Sequence, residues 1–144
     1  MNEDPDGLRR FVEAQDRSGT YGRALEELRA GRKETHWIWF VFPQVAGLGH
    51  SPRAREYAIG SLEEARAYLD HPVLGPRLLE CSQALRPHAG MAAPQMLGEV
   101  DALKLRSSMT LFARADPDQP LFRQVLDRFF DGEADEATER RLSG

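Results

Sequence analysis

The chain has a single cysteine, Cys81, among its 144 residues. No intrachain disulfide can form, so the fold must rest on packing, and a reducing, cytoplasmic compartment is expected. Long apolar runs are missing too. The longest, Trp37 to Phe42, falls far short of the ~20 residues that span a bilayer, so no membrane partner is expected. The opening MNEDPDGLRR is acidic and polar, unlike a secretory signal. Lysine is nearly absent: Lys33 and Lys104 stand against 17 arginines. The arginine excess reads as the base composition of the coding sequence. The scarcity makes each lysine worth weighing, because a lysine can lose its proton in a site and an arginine cannot. The net charge is −4, which argues against steering toward nucleic acid and leaves only a local basic patch open.

Metal and cofactor signatures are also lacking. His36, His50, His71 and His88 are scattered, with no HExxH and no paired cysteines, so no metal and no cofactor are expected. The AGLGHS stretch offers Gly47-Leu48-Gly49, which reads as a turn between helices rather than a phosphate loop.

What is present is helical grammar. Hydrophobic residues make up 41% and charged residues 29%, the balance of a folded domain. Leu8, Phe11, Val12 and Gln15 lie at helical spacing behind Asp6, a candidate cap. Tyr21, Ala24, Leu25 and Leu28 form an i, i+3, i+4, i+7 stripe that Gly31 stops. Ser51-Pro52 and Ser61 with Glu64 open two more helices, and Pro72 opens a third that carries Leu74, Leu78, Cys81 and Leu85. Residues 87–98 read as a loop with room for a helical turn. From about Asp101, Ala102, Leu105, Met109 and Phe112 share a face, and Leu103 and Leu111 make other faces apolar, which predicts a largely buried central helix. Pro120 to Gly132 repeats the pattern, and a charged helix from about Ala134 closes the chain. No sustained alternation marks a strand. The expected architecture is all-α, a single multihelical domain over 1–144.

Two stretches hold the candidate chemistry. THWIWFVFPQ, 35–44, contains both tryptophans and reads as a short buried helix from Thr35 to Phe42, capped by Thr35. On a helix Trp37 and Trp39 would point about 200° apart, while His36 and Phe40 would share a face. One face could pack inward while the other lines a cleft, with Gln44 offering an amide at the rim. Buried indoles also need partners for their N–H groups. LKLRSSMTLF, 103–112, puts Lys104 and Ser108 one turn apart, with Arg106 elsewhere on the helix. Lys104 is a candidate catalytic amine or anion ligand, or else an ion-pair partner of Asp101. Asp101 and Glu13 are candidate bases.

These strings carry a resemblance. RFVEAQ (10–15), ALEELRAGRKETHWIWFVFPQVAGLGHS (24–51), YAIGSLEEARAYLDHPVLGPRLLEC (57–81), LKLRSSMTLF (103–112) and LFRQVLDRFFDG (121–132) run in order along most of the chain. In them the chain resembles the Domain of Unknown Function 1810 family, sometimes labelled calpastatin-like. The resemblance implies a compact multihelical domain and no established reaction. Calpastatin-type inhibitors are flexible segments that order on a protease, unlike a folded domain. More distantly the chain is similar to NADAR-type N-glycosidases, in having an aromatic-rich segment followed by a lysine-bearing helix. No catalytic residue maps across position by position.

The function expected is a small-molecule pocket for a nucleotide or an ADP-ribose-like compound, with N-glycosidic hydrolysis as the reaction. His36, Trp37, Trp39, Gln44, Lys104, Arg106 and Ser108 would line it, with Lys104 and Asp101 as catalytic candidates. The alternative is a protein-interaction module without catalysis.

Overall fold

Ser51 and Ser61 begin their helices as the sequence predicts: Ser51 Oγ accepts from the Ala54 N–H and Ser61 Oγ from the Glu64 N–H, each at 3.1 Å. The structure, a computed structural model, describes Asp4 and residues 7–88 and 90–143. Its helices are α1 (Arg9–Asp16), α2 (Thr20–Ala30), α3 (Ile38–Val41), α4 (Pro52–Glu56), α5 (Leu62–Asp70), α6 (Leu74–Leu85), α7 (Ala93–Leu97), α8 (Glu99–Ala115), α9 (Pro120–Phe129) and α10 (Glu136–Ser143). The architecture is all-α. Among the described residues the extended chain amounts to one parallel bridge, between Val45 and Ile59.

The Asp6 cap falls outside the described residues. Asp4 takes that part, accepting from the N–H groups of Leu8 and Arg9. The helix expected over Thr35–Phe42 is only the four residues of α3, and Thr35 is not its cap. The Thr35 hydroxyl instead donates to Glu27, which draws residues 34–37 out of helical geometry. The helix expected to open at Pro72 starts at Leu74, where His71 Nδ1 accepts from the N–H groups of Val73 and Leu74. The room left for a helical turn within 87–98 is taken by α7.

Helix α8 is the hub, packing against α3, α5, α7, α9 and α10. Ala102, Leu105, Met109, Leu111 and Phe112 are buried, whereas Leu103 is 60% exposed, so the first turn of its face stands out of the core while Ser107 and Thr110 further along it are buried. A row of aromatic rings crosses the interior from α3 to α9. Phe40 meets Tyr57 at 5.3 Å, Tyr57 meets Phe11 at 5.8 Å and Phe11 meets Tyr68 at 5.2 Å. Tyr68 meets Phe112 at 5.3 Å, and Phe112 meets Phe122 at 5.9 Å. Each such pair adds ~0.5–1.5 kcal/mol beyond the area it buries. Gln15 pins the row from the side: its Nε2 donates to the Phe40 carbonyl at 2.7 Å and to the Tyr68 hydroxyl at 3.3 Å.

The turn between α1 and α2 positions the site. Ser18 (φ 55°) and Gly19 (φ 69°) are both left-handed, so the chain reverses within three residues. That turn puts Arg17 and Arg23 on the lining of one cavity, and Arg23 donates to the Ser18 carbonyl at 3.1 Å.

Candidate functional site

Glu27 organises the segment that carries the tryptophans. Its buried carboxylate accepts from the Glu34 N–H (2.8 Å), the Thr35 N–H (3.0 Å), the Thr35 hydroxyl (2.6 Å) and Trp37 Nε1 (2.9 Å). Burial by itself would raise the carboxyl pKa. The Thr35, Glu34 and Trp37 donors outweigh it and hold the group at about 2. Trp37 is sealed, with its N–H satisfied.

Beside this knot both lysines of the chain meet one carboxylate. Lys33 Nζ lies 2.8 Å from Asp101 and 2.6 Å from the Thr35 carbonyl. Lys104 Nζ lies 3.9 Å from the other oxygen of Asp101. Each ammonium also sits over an indole: Lys33 is 5.0 Å from the Trp37 ring centroid and Lys104 is 5.1 Å from that of Trp39. Arg53 makes a second cationic contact with Trp39, at 5.0 Å. Trp39 Nε1 is buried and has no hydrogen-bond partner.

Arg53 also borders a cavity of about 480 Å³. Arg17, Arg23, His36, Thr35 and Tyr57 share its wall, Phe40 and Ala14 supply apolar surface, and Glu56 is the one carboxylate. None of the three arginines forms an ion pair within 4 Å among the described residues, although six other arginines do. Burial raises the pKa of Tyr57 and the Glu56 carboxylate adds to this, while Arg17 and Arg53 pull it down. Both guanidiniums therefore act on the Tyr57 ring, which Phe40 and Phe11 hold in place.

A family model, "Protein of unknown function (DUF1810)", matches residues 5–142. The chain belongs to this family. The crystal structure of the conserved hypothetical protein Rv1873 from Mycobacterium tuberculosis is similar throughout: 50% identity, a TM-score of 0.94, and coverage of 98% of this chain and 99% of the other. No curated protein matches the chain.

The strings shared with the DUF1810 family reach the site unequally. Trp39 and Lys104 are brought into contact, and Asp101 joins Lys104 to Lys33. His36 lies on the cavity wall; Trp37, Trp39, Gln44 and Lys104 do not. The Gln44 backbone carbonyl accepts from the Ile59 N–H at 2.9 Å. Arg106 points away toward the C-terminal segment, donating to the carbonyls of Glu133 (2.8 Å) and Ala134 (3.0 Å). Ser108 Oγ is buried without a partner, so the one-turn spacing from Lys104 produces no hydrogen bond. Glu13 is exposed on α1, off the cavity wall. Sequence reasoning missed Arg17, Arg23, Arg53, Tyr57 and Glu27. The Ser18-Gly19 pair and the Ser51-Pro52 cap mark the chain breaks that carry the arginines, but nothing in local spacing singles those arginines out.

Among the described residues no helix is long and apolar enough to cross a membrane. No group of three or more His, Cys, Asp or Glu side chains is placed to hold a metal ion there.

Proposed function

We propose that the cavity between the α1–α2 turn and α4 binds an anionic small molecule of the nucleotide or ADP-ribose-like class. The observation that carries this reading is the wall itself: three arginines with no ion-pair partner among the described residues line it with one glutamate, on a chain whose net charge is −4. Unpaired guanidiniums converging on a hollow are poised for bidentate contact with phosphate oxygens. A volume of about 480 Å³ suits such a ligand, since small-molecule sites run to ~300–1,000 Å³. His36, with the accessible edges of Tyr57 and Phe40, would border the base or ribose. N-glycosidic hydrolysis is the reaction we attach to the site: water would add to the anomeric carbon as the C–N bond breaks, Glu56 on the wall would take the water's proton, and the base would leave with the bonding electron pair, as neutral nicotinamide from NAD. Asp101 is occupied by two lysines.

The test is differential scanning fluorimetry with ADP-ribose, NAD, ADP and AMP, alongside chromatography for released nicotinamide or adenine. A concentration-dependent rise in Tm that shrinks in the Arg17→Gln/Arg53→Gln double variant supports binding. A free base appearing with wild type and not with Glu56→Gln supports hydrolysis. No shift with any of the four compounds removes the reading.

One observation favours a protein-interaction module instead. Val100 and Leu103, one turn apart at the start of α8, are 65% and 60% exposed. Two side chains make a small patch, well under the few hundred Å² typical of docking surfaces. Phe129 and Phe130, the other candidates for such a patch, are half-buried against the core.

A further inference from the structure

We infer that the anion this cavity takes is a diphosphate group, held by Arg17, Arg23 and Arg53, and that the phosphates rather than the base carry most of the affinity. The inference rests on the small-molecule reading above and narrows it to ligands with two linked phosphates.

Charge balance is the first argument. Three guanidiniums against Glu56 leave the wall at about +2, His36 not counted. A diphosphate diester carries −2 and a single phosphodiester −1, so among diesters the diphosphate neutralises the wall and the single phosphate leaves a guanidinium unmatched. Three separate forks also exceed what the two free oxygens of one phosphodiester accept in bidentate fashion.

Anchoring is the second. Arg23 is tethered to the Ser18 carbonyl, and Arg17 follows α1 directly, with its N–H on the Glu13 carbonyl. The Arg23 guanidinium is therefore aimed by the backbone of the tight turn that also places Arg17. Arg53 comes from a different element, on the first turn of α4 behind the Ser51 cap. A ligand held by cations from both elements at once must offer oxygens to each, as two linked phosphates do.

Selectivity is the third. Apolar surface on this wall is limited to Phe40 and Ala14 with the Tyr57 ring, so a base finds little to stack on compared with the charge offered to phosphate. Arg53 links the cavity to Trp39. When Arg53 turns to the anion, the indole loses one of its two cations and its emission changes, whereas Trp37 is sealed and stays constant.

The experiment is a titration of wild-type protein with inorganic pyrophosphate, inorganic phosphate and citrate at constant ionic strength, read by tryptophan emission and by isothermal calorimetry. ADP-ribose is titrated with and without pyrophosphate. Pyrophosphate is expected to bind at least tenfold tighter than phosphate or citrate and to compete with ADP-ribose. Its affinity should fall at least tenfold in Arg23→Gln and in Arg17→Gln, both exposed positions whose circular dichroism should match wild type. The emission change should vanish in Trp39→Phe and persist in Trp37→Phe. Equal affinity for pyrophosphate and phosphate, or pyrophosphate binding that neither arginine variant weakens, overturns the inference. ADP-ribose binding that pyrophosphate does not displace overturns it while leaving the small-molecule reading intact. Pyrophosphate binding with no nucleotide binding keeps the diphosphate site and removes the nucleotide reading.

Discussion

Lys33 and Asp101, 68 positions apart in the sequence, form an ion pair at 2.8 Å, with the lysine side chain only 7% exposed. This contact ties the segment after α2 to the first turn of α8, next to the backbone bond from the Lys33 N–H to the Met96 carbonyl. Removing one partner of a buried pair leaves a charge without compensation, which costs ~3–5 kcal/mol when burial is complete. Asp101 keeps some contact with solvent, so Asp101→Asn should cost about 2–3 kcal/mol by urea denaturation. Adding Lys33→Met should recover part of that loss. Lys104→Met, at 3.9 Å and more exposed, should cost under about 1 kcal/mol. Equal losses for the two lysine variants would contradict this division of labour.

Glu27 gives the fold an acid limit. Its folded pKa, about 2, lies below the ordinary value of 4.5, so the unfolded chain binds the proton more readily. The stabilisation is present in full above pH 4.5 and drains away as pH falls toward 2, an effect of roughly 3 kcal/mol. Glu27→Gln should flatten the dependence of unfolding free energy on pH in that window. It should also destabilise the protein at pH 7, because a neutral amide is a weaker acceptor and turns its own N–H groups toward the donors of Thr35 and Trp37. An unchanged acid slope in this variant would count against the assignment.

The helices were legible because caps, stripes and stops agreed with one another: Ser51-Pro52, Ser61 and Gly31 all do what their residue types imply. The stretch 35–42 was not, because propensity could not show that a glutamate eight positions earlier would claim the Thr35 hydroxyl and shorten the helix. The rarity of lysine did point to a real cluster, since both lysines converge on Asp101. Among 17 arginines nothing in local spacing distinguishes Arg17, Arg23 and Arg53. Only the folded chain brings the α1–α2 turn against α4.

Ser108 offers a check on the candidate site in the opposite direction. A buried hydroxyl with no partner costs free energy that a methyl group does not. Ser108→Ala should therefore leave stability unchanged or raise it by up to about 1 kcal/mol. Thr110→Ala should lower it, because the Thr110 Oγ1 donates to the Arg106 carbonyl at 2.8 Å and accepts from the Asp135 N–H at 2.9 Å, linking α8 to the chain before α10. Chemical denaturation of both variants checks the contrast. A loss on Ser108→Ala as large as on Thr110→Ala would mean that the serine has a partner after all.

The two indoles should separate cleanly in quenching experiments. Trp37 is fully buried, with its N–H on Glu27 and its ring beside Phe42, whereas Trp39 keeps partial exposure between two cations. Iodide, an anion, is drawn toward Arg53 and Lys104, so it should quench Trp39 more than caesium does at equal concentration and moderate salt. In Trp39→Phe, emission comes from Trp37 alone and should resist iodide, caesium and acrylamide alike. In Trp37→Phe, iodide quenching should weaken several-fold when Lys104 is also replaced by glutamine, because one of the two attracting charges is gone. Similar Stern–Volmer slopes for iodide and caesium in Trp37→Phe would mean that the cations do not face the exposed edge of the ring.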